Sequence, residues 1–541
     1  MKLKKKHRYL FSILSGLLLT LSFPYTGSLY PLAFIAWIPL LIVEHDIFEK
    51  KQKARNLFIH AFITFLIYNV LSGWWFTNLE KSLYLIILLY LVVSLVMTLV
   101  FYLFHQSKKL VGRRFGTVIF VAIWIGYEFL QYNWQISYPL LTLGNVFGIA
   151  PQFVQWYSIT GVLGGSLWIL LINIIGFSLA KKIIFEKQSF RTQWKFFLSW
   201  CLTILLPALI SLGMYSVYQE THRRHIEVVL TQPNLDPYKE KYNIDKVQLT
   251  KNLHAIVHQA EGLMTPKTDL VLAPETSYSL VLNEHNSDKD SVFEYLQNWV
   301  NKRQVMLGIG AGTYIPFPRR TRYTMRPIKG TDYFYEKYDS FVLLKPKAYP
   351  NFKHKSKLVT GAEQIPFIDW FPSLSKYGFD TGALGGVIGT DPAPRTIHTA
   401  DVAFAPLVCY EVNYGEYVSR FVQKNAEALF IIADYGLYGN SAGYLQFLSQ
   451  SRLRAIETRR DVATSTNTGI SCIINQKGDV VQKTGYGISK GIRGKVHLNR
   501  KKTFYVRYGD FLGRGALIVV VILTLYGFFR RFVFKVDKPH P

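Results

Sequence analysis

Two side chains that can do acyl chemistry stand directly after predicted strands. Glu275 follows the apolar run Asp269–Leu272 in LVLAPETS, and Cys409 follows Val402–Val408 in VAFAPLVCYEVNYGEY. Active sites of α/β proteins collect at such strand ends, and a thiolate attacks esters and amides once a base or nearby cation lowers its pKa. Glu275 can also be a helix N-cap residue and Cys409 a buried structural cysteine. The local sequence alone does not decide between these alternatives.

A basic stretch lies between these two positions. FKHKSKLVTGAEQIPF holds Lys353, Lys355 and Lys357, two residues apart, so in a strand they share one face, and a single lysine turns inward only if the run bends. The alternative is a solvated basic segment, the usual role of such a charge run. His254 and His258 are four residues apart on a predicted helix, but AIV stands between them where H-E-x-x-H has its glutamate. We therefore expect a surface histidine pair and no metal site.

The chain divides into an apolar part and a part typical of a soluble domain. Half of its 541 residues are hydrophobic, and long apolar runs dominate residues 8–218. Since a helix needs roughly 20 apolar residues to cross a bilayer, we predict about eight membrane helices. These lie at about 8–24, 29–45, 56–77, 82–105, 115–133, 160–183, 194–217 and 512–530. The predicted domains are 1–218, 219–506 and 507–541.

The net charge of +27 is explained by a membrane rather than by nucleic acid. With the basic N-terminus in the cytoplasm, the loops after helices two, four and six and the C-terminal tail are also cytoplasmic. These segments carry Lys50, Lys108, Lys181 and Arg530 among other basic residues, as the positive-inside rule requires. The soluble part then lies on the outer side. We see no nucleic-acid-binding motif and predict no nucleic-acid partner.

Several polar and aromatic residues interrupt the apolar runs. Asn69 and Glu128 lie inside predicted spans, where interhelical hydrogen bonding or an interfacial position is favoured over a functional site. Trp74 and Trp75 are interpreted as an interfacial aromatic belt. The stretch 138–155 is apolar but punctuated by Pro and Gly, which is typical of a re-entrant or interfacial segment.

Strands and helices alternate through residues 219–506, which predicts an α/β domain with layered sheets. The predicted strands are Ile226–Leu230, Asp269–Leu272, Val305–Ile309, Ser340–Leu344, Val402–Val408 and Ala428–Ile432. The predicted helices are Asp245–Gly262, Asp290–Lys302, Tyr414–Lys424 and Leu445–Thr458.

The order Glu275, Lys355, Cys409, with spacings of 80 and 54 residues, resembles the nitrilase superfamily. The local matches are QPNLDP, PETS, HKSKLV, CYE and the turn NTG in SRLRAIETRRDVATSTNTGIS. This resemblance implies an α-β-β-α sandwich with Glu275 as general base and Cys409 as nucleophile. Lys355 is implied to lower the thiol pKa and to stabilise the oxyanion. Glu363, Glu411 and Tyr410 are implied as supporting or substrate-positioning residues, without cofactor or metal.

A nitrilase-like domain between seven helices and one is similar to the apolipoprotein N-acyltransferase family, over essentially the whole chain. The resemblance implies transfer of an acyl chain from a phospholipid, phosphatidylethanolamine, through a Cys409 thioester to the N-terminal amine of a diacylglyceryl-lipoprotein. It also implies a bacterial inner-membrane protein with its catalytic domain in the periplasm. The chain departs from the family pattern at Thr360–Ala362 and in ADYGLYG, where N-D-x-W-F is usual and only Asp434 is retained.

Two other functions fit the same residues. The first is a membrane-tethered amidohydrolase of nitrilase type, with water as acceptor. The second is a non-enzymatic membrane protein whose soluble domain binds a lipid or a partner, and the altered ADYGLYG segment is the observation in its favour. An acyl-enzyme carrying a long lipid chain would argue against the first alternative. A Cys409→Ala variant with full biological function would support the second.

Overall fold

The structure is a computed structural model that describes residues 3–79, 83–242, 244–373 and 386–536. Residues 537–541, the end of the predicted C-terminal segment, lie outside the described residues. The chain forms two compact units. The helical unit consists of Met1–Trp74, Tyr84–Val217 and Tyr508–Pro541, and the α/β unit of Trp75–Leu83 and Tyr218–Arg507. The α/β unit therefore contains a short segment at the junction of the predicted membrane helices 56–77 and 82–105.

A helix overlaps each predicted apolar segment. These helices, with the short α6, are α1 (Lys5–Ser22), α2 (Ile38–Glu49), α3 (Ala54–Ser72), α4 (Leu83–Val111), α5 (Gly116–Gln131), α6 (Tyr157–Thr160), α7 (Val162–Ile184), α8 (Trp194–Val217) and α14 (Phe511–Val536). Among the described residues, six segments are long and apolar enough to cross a membrane. They are Tyr30–Glu49, Ala54–Ser72, Ile86–Val111, Val162–Ile184, Phe190–Val217 and Phe511–Phe532. The predicted first and fifth spans do not qualify, because α1 has a basic first turn and α5 has only 16 residues.

Polar groups inside the helical unit bond to neighbouring segments. Asn69 Nδ2 donates to Ser94 Oγ on the next helix at 3.1 Å. Glu128 Oε1 accepts from the backbone N–H of Leu143 at 2.9 Å. The predicted hydrogen-bonding role of Asn69 and Glu128 is thus confirmed. The stretch 138–155 consists largely of short 3₁₀ turns, and most of its residues are buried. The turns satisfy part of its backbone hydrogen-bonding groups locally.

The α/β unit contains the strands and helices that position the chemistry. Its strands are β1 (His225–Leu230), β2 (Thr268–Leu272), β3 (Tyr278–Asn283), β4 (Met306–Phe317), β5 (Arg326–Pro327), β6 (Phe334–Leu344), β7 (Asn351–His354), β8 (Ile397–His398), β9 (Ala403–Val408), β10 (Ala428–Ala433), β11 (Val462–Thr466), β12 (Cys472–Ile474), β13 (Val480–Lys483) and β14 (Ile492–His497). Its helices are α9 (Lys246–Glu261), α10 (Ser291–Arg303), α11 (Gly415–Gln423), α12 (Ala442–Thr458) and α13 (Phe504–Tyr508).

The strands build two sheets. The first has the order β14-β1-β2-β4-β6-β5, with β3 also paired to β4 and β7 to β6. The second has the order β13-β12-β11-β10-β9-β8. β1, β2 and β4 run parallel in the first sheet, as do β9, β10 and β11 in the second. The carboxyl ends of parallel strands meet at one edge of a sheet, which is where side chains for chemistry can gather.

Two helices cover the first sheet because their apolar faces pack on its strands. Leu253 of α9 and Leu296 of α10 belong to one buried cluster with residues of β1, β2, β4 and β6. The Asp245 side chain caps α9 by accepting from Gln248 N at 2.8 Å. Helices α11 and α12 contact the second sheet, and the two sheets face each other through side chains such as Phe341 and Phe404. The α-β-β-α sandwich is therefore confirmed.

Candidate active site

Glu275 lies in the turn after β2, held against β4. The backbone N–H of Ala273 donates to Gly308 O at 2.8 Å, and that of Gly310 donates to Pro274 O at 3.1 Å. A Cβ on Gly310 would lie 2.4 Å from the Cα of Glu275. Only glycine permits this approach, so the sequence of β4 fixes where the glutamate enters the site.

Cys409 stands in a strained turn at the end of β9. Its φ is +46°, in the left-handed region that a non-glycine residue rarely adopts. Thr276, next to Glu275, has a φ of +51°. Such strain persists only where the surroundings enforce it, and it is concentrated at functional sites. The Cys409 side chain is buried, as a nucleophile shielded from water would be.

Lys355 lies directly after β7 and sits among three carboxylates. Its Nζ donates to Glu275 Oε1 at 3.0 Å, Asp339 Oδ2 at 3.1 Å and Glu363 Oε1 at 2.8 Å. An ammonium has three donors, so all of them are engaged. Burial opposes the charged form, but the carboxylates outweigh it and raise the pKa of Lys355 above its usual value. Lys355 is therefore a buried cation.

The basic stretch is not a solvated segment, so that alternative was wrong. Lys353 and Lys355 are both buried, Lys353 within β7 and Lys355 directly after it. Lys353 forms an ion pair with Glu411. Lys357 Nζ lies 4.8 Å from the centre of the Tyr414 ring. A neighbouring carboxylate offsets the cost of burying each of the first two ammonium groups.

Glu411 joins the lysine segment to the turn that carries Cys409. Besides Lys353, its carboxylate accepts from Ser356 N at 2.7 Å, Val408 N at 2.9 Å and Tyr417 Oη at 2.6 Å. These partners flank Lys355 on one side and Cys409 on the other. Glu363 thus contacts Lys355 directly, whereas Glu411 holds the backbone around it.

Tyr410, the remaining predicted supporting residue, packs in an aromatic cluster. Its ring centre lies 5.8 Å from that of Tyr414 and 6.2 Å from that of Phe447. Its side chain is buried. This packing fixes the residue next to Cys409 and so supports the turn.

We expect Glu411→Gln to lower the free energy of unfolding by about 3–5 kcal/mol, because it leaves the buried ammonium of Lys353 without its anion. The change keeps the side-chain shape. Thermal unfolding of the detergent-solubilised protein measures the loss as a lower midpoint. Glu416→Gln is the matched control: its carboxylate pairs with Arg420 at 3.0 Å near the surface, and such pairs contribute about 1 kcal/mol or less. Equal midpoints for the two variants would contradict this account of Glu411.

A buried ion pair behind Glu275 was missed by the sequence analysis. Lys241 Nζ donates to the backbone oxygen of Glu275 at 2.8 Å and forms an ion pair with Asp434. The backbone N–H of Asp434 donates to Glu275 Oε2 at 2.9 Å, and Asn467 Nδ2 lies 3.2 Å from Asp434 Oδ2. The retained aspartate of ADYGLYG thus helps to orient Glu275. Lys241 gave no signal because its surroundings, YKEKY, are typical of an exposed segment.

Asp339 was also missed, although it contacts Lys355. It lies within β6 and is buried. One carboxylate oxygen each from Glu275, Asp339 and Glu363 can be chosen so that all lie within 4.8 Å of one another. Such a set could hold a cation, and the ammonium of Lys355 already contacts all three groups. The only sequence signal was a carboxylate among the hydrophobic residues of a strand.

The reactive groups open onto a cavity of about 80 Å³. One side carries Glu275, Lys355, Glu363 and Cys409. Apolar side chains form another part of the wall: Phe76, Leu79, Val359, Leu437 and Tyr438. The cavity thus offers charged groups to a reacting carbonyl and an apolar surface to what is attached to it.

The segment that supplies Phe76 is anchored within the α/β unit by Trp75. This side chain is fully buried, and its Nε1 donates to Gln446 Oε1 at 3.1 Å. Its ring centre lies 4.6 Å from that of Tyr438, whose backbone oxygen accepts from Asn78 Nδ2 at 2.6 Å. The interfacial interpretation of Trp75 was therefore wrong, because its ring and N–H find their partners in the α/β unit.

The electrostatics place a neutral thiol beside a strong base. Burial raises the pKa of Glu275 well above the usual carboxyl range; Lys355 opposes this rise, and the charges of Asp339 and Glu363 add to it. Burial and then the charge of Glu275 raise the pKa of the Cys409 thiol, and Lys355 lowers it only in part. Cys409 therefore rests as a thiol, and Glu275 is the neighbouring carboxyl whose charge acts on it most strongly.

Comparisons with known proteins agree over both units. Residues 15–175 match the apolipoprotein N-acyltransferase N-terminal domain, and residues 231–497 match the carbon-nitrogen hydrolase family. An apolipoprotein N-acyltransferase of Chlorobaculum tepidum is 27% identical over 97% of each chain. One of Geobacter metallireducens is 23% identical over 97% of this chain and 96% of its own.

Among solved structures, the nitrilase-superfamily protein Nit3 of Saccharomyces cerevisiae is 17% identical. The match covers 52% of this chain and 92% of that one, with a TM-score of 0.37. The two family matches and the full-length relatives show that the chain belongs to the apolipoprotein N-acyltransferase family, and that it is a membrane protein and an acyltransferase.

Proposed function

We propose that this member of the family moves a fatty acyl chain in two steps through a thioester on Cys409. The donor is a phospholipid, phosphatidylethanolamine, and the acceptor is the N-terminal amine of a diacylglyceryl-cysteine on a lipoprotein. The observation that carries the proposal is the strained Cys409 facing Glu275 and Lys355 in a cavity with an apolar wall. One covalent intermediate between two substrates predicts ping-pong kinetics.

In the first step, Cys409 Sγ attacks the ester carbonyl of the phospholipid. Its proton passes to Glu275 as the S–C bond forms, which gives a tetrahedral oxyanion. When this collapses, the C–O bond to the lysophospholipid breaks and Glu275 returns the proton to the leaving oxygen. The acyl chain remains as a thioester, and Glu275 is again a carboxylate.

Lys355 can serve the oxyanion only if one of its three hydrogen bonds is released. Its donors are occupied by Glu275, Asp339 and Glu363. When Glu275 takes up the thiol proton it becomes neutral, and a neutral carboxyl accepts a weaker hydrogen bond than a carboxylate does. The same proton transfer that creates the oxyanion therefore frees a donor to stabilise it.

In the second step, the amine of the lipoprotein attacks the thioester carbonyl. Glu275 accepts a proton from the attacking amine and returns it to the departing sulfur of Cys409. The C–S bond breaks, an amide forms and the thiol is regenerated. The elevated pKa of Glu275 suits this work, because a general base functions best when its pKa lies near the working pH.

The apolar wall supports a lipid donor over a small amide. Phe76, Leu79 and Leu437 face the cavity that holds Cys409, and burying a fatty chain against such side chains is favourable by about 0.8 kcal/mol per CH₂ group. The cavity of about 80 Å³ accommodates the reacting carbonyl, so the chain must extend beyond it along the apolar side.

We place the α/β unit on the periplasmic side of a bacterial inner membrane. The support is the charge pattern of the chain, with basic residues such as Lys50, Lys108, Lys181 and Arg530 on the opposite side. Both proposed substrates are lipids, so a multi-span helical unit suits the reaction better than a single tether does. A reporter fused after Val217 tests this orientation.

A product assay separates the proposed function from its alternatives. The purified protein is incubated with an acyl-labelled phospholipid and a synthetic diacylglyceryl-lipopeptide, beside Cys409→Ala. We expect labelled N-acyl lipopeptide from the wild-type protein only. Labelled free fatty acid with unmodified lipopeptide would instead support the hydrolase, in line with the carbon-nitrogen hydrolase match. No product of either kind would contradict enzymatic acyl chemistry on these substrates.

A further inference from the structure

Within the described part of the chain, one buried carboxylate oxygen next to the catalytic base has no hydrogen-bond donor. Asp339 Oδ2 accepts from Lys355, but none of the residues that the structure describes donates to Asp339 Oδ1. The side chain is only 2% exposed. A buried acceptor without a partner is costly, so this oxygen requires a physical explanation.

The charges around Asp339 do not balance if every carboxyl is ionised. Glu275, Asp339 and Glu363 meet the single ammonium of Lys355. The other two buried lysines nearby already have anions of their own, Lys353 with Glu411 and Lys241 with Asp434. Carboxylates this close cannot all ionise readily in a buried site. The cluster therefore has a strong tendency to bind a proton.

Glu275 is the carboxyl with which Asp339 can share that proton. The two groups are within hydrogen-bonding reach. Burial is the largest cause of the raised pKa of Glu275, and Lys355 opposes it. The charge of Asp339 and the hydrogen bond between the two carboxyls raise this pKa further. Glu363 and Glu275 each accept from one backbone N–H, that of Val359 and that of Asp434, both at 2.9 Å. The charge of Asp339 raises the pKa of both carboxyls, and a hydrogen bond to Asp339 adds to the rise only for Glu275. Tyr242, another titratable side chain beside this group, directs its hydroxyl to Asp434 at 3.2 Å, and Tyr435 and Tyr438 also lie close enough to interact electrostatically with Glu275.

We propose that Asp339 and Glu275 act as a carboxylate pair that binds one proton, and that this pair is the general base for Cys409. The inference rests on the proposed function, since it assigns a partner to the base of that reaction. Asp339 acts through Glu275 and is a positioning residue. The proton leaves Sγ for Glu275, is shared with Asp339 Oδ1 while the oxyanion exists, and leaves through Glu275 to the departing oxygen.

The raised pKa of the Cys409 thiol calls for a base of high proton affinity, which the pair supplies. Because the Cys409 thiol holds its proton more tightly than an ordinary thiol does, an ordinary carboxylate would be too weak a base for it. The negative charge of Asp339 raises the proton affinity of Glu275, and the shared hydrogen bond supplies the donor that Asp339 Oδ1 lacks.

The first test is the pH dependence of Cys409 acylation by phosphatidylethanolamine vesicles in Asp339→Asn, followed by intact-protein mass spectrometry. Removing the negative charge lowers the pKa of Glu275, so the acidic limb of the pH–rate profile should move to lower pH by about one unit or more. The rate above the limb should fall about tenfold or more, because the base is weaker. Asp269→Asn is the control, because the Asp269 side chain accepts from the backbone N–H of Glu227 at 2.8 Å. We expect this variant to leave the position of the acidic limb and the rate above it unchanged.

A purely structural role for Asp339, such as holding Lys355 in place, predicts a lower rate at every pH with the limb unmoved. That result would overturn the proposal. Asp339→Ser provides a second variant that lacks the carboxyl, in case Asp339→Asn folds poorly. If the wild-type protein forms no acyl-enzyme, the proposed function fails, and the next measurement still tests the pair.

The second test is an infrared pH titration of the resting protein without substrates. A protonated carboxyl has its own C=O band. The band of the pair that shares a proton should persist to a higher pH than the band of an isolated carboxyl does. We expect this high-pH band to be lost in both Glu275→Gln and Asp339→Asn and to remain in Glu363→Gln. A band that persists in Asp339→Asn would overturn the inference.

Discussion

Glu275→Gln is expected to lower the rate of Cys409 acylation at neutral pH by about 10³-fold, within the range of general-base contributions. The glutamine keeps the size of the side chain and an oxygen that can face Lys355, but it cannot accept the thiol proton. Because burial and the neighbouring charges keep Cys409 as a thiol, little thiolate forms without a base. Single-turnover acylation by phosphatidylethanolamine measures the effect.

The pH dependence of this variant gives a sharper test. Without a base the reaction depends on the thiolate that forms spontaneously, and below the thiol pKa this fraction rises about tenfold per pH unit. The rate of Glu275→Gln should therefore climb with pH where the wild-type rate is level. Glu261→Gln, at the end of α9 and bonded to Trp299 at 2.9 Å, is the control. A Glu275→Gln rate equal to that of the wild-type protein at neutral pH would show that Glu275 is not the base.

Lys355→Met is expected to abolish measurable transfer, with a loss of about 10³-fold or more, and to destabilise the protein. Methionine fills similar space but supplies no donor for the oxyanion, whose loss alone costs on the order of 10²–10³ in rate. It also leaves Glu275, Asp339 and Glu363 without the cation that each contacts. We expect the free energy of unfolding to fall by about 3–5 kcal/mol at neutral pH.

The sign of the pH effect on this variant follows from the carboxyls. Without Lys355, the pKa of Glu275, already raised in the folded protein, rises further. A carboxyl with a raised folded-state pKa is tolerated at low pH, where it is neutral, and it costs stability as the pH rises through that pKa. The deficit of Lys355→Met relative to the wild-type protein should therefore grow from acid to neutral pH in thermal unfolding.

Lys302→Met serves as the control for this stability measurement, because Lys302 is exposed in α10. We expect its unfolding midpoint to stay close to that of the wild-type protein at each pH. A Lys355→Met midpoint that matches this control at neutral pH would mean that the three carboxyls do not depend on the ammonium for stability.

The sequence predicted the parts of the site that follow from strand ends. Glu275 and Cys409 come directly after apolar runs, at the carboxyl ends of parallel strands in the two facing sheets, where side chains for chemistry collect. The spacing of Lys353 and Lys355 predicted a shared face, and both side chains are buried. Which of the two lysines meets Glu275 was implied only by the family motif HKSKLV, because local chemistry does not distinguish them.

Asp339 and Lys241 could not be found in this way. Each lies in a segment whose local sequence has an ordinary interpretation, and each gains its partners through contacts with distant parts of the chain. Lys241 pairs with Asp434, 193 residues away, and Asp339 with Lys355 across neighbouring strands. The conformational strain at Cys409 was equally invisible, since it arises from the turn and not from the residue type.

The segment after α3 shows the same limit in the apolar part of the chain. Trp75 lies near the end of the predicted span 56–77, and that context favours an interfacial role. Its burial in the α/β unit and its hydrogen bond to Gln446 depend on a contact across 371 residues. Phe76 consequently lines the cavity that contains Cys409, which hydropathy cannot indicate.

The central claim is that Cys409 carries the acyl chain, and intact-protein mass spectrometry tests it most directly. The purified protein is incubated with phosphatidylethanolamine, beside Cys409→Ser, and each sample is measured before and after hydroxylamine treatment. We predict a mass increase of one fatty acyl group that hydroxylamine removes from the wild-type protein and that is absent or hydroxylamine-resistant in Cys409→Ser. A wild-type protein that gains no acyl mass from any phospholipid, while remaining folded, would contradict the account.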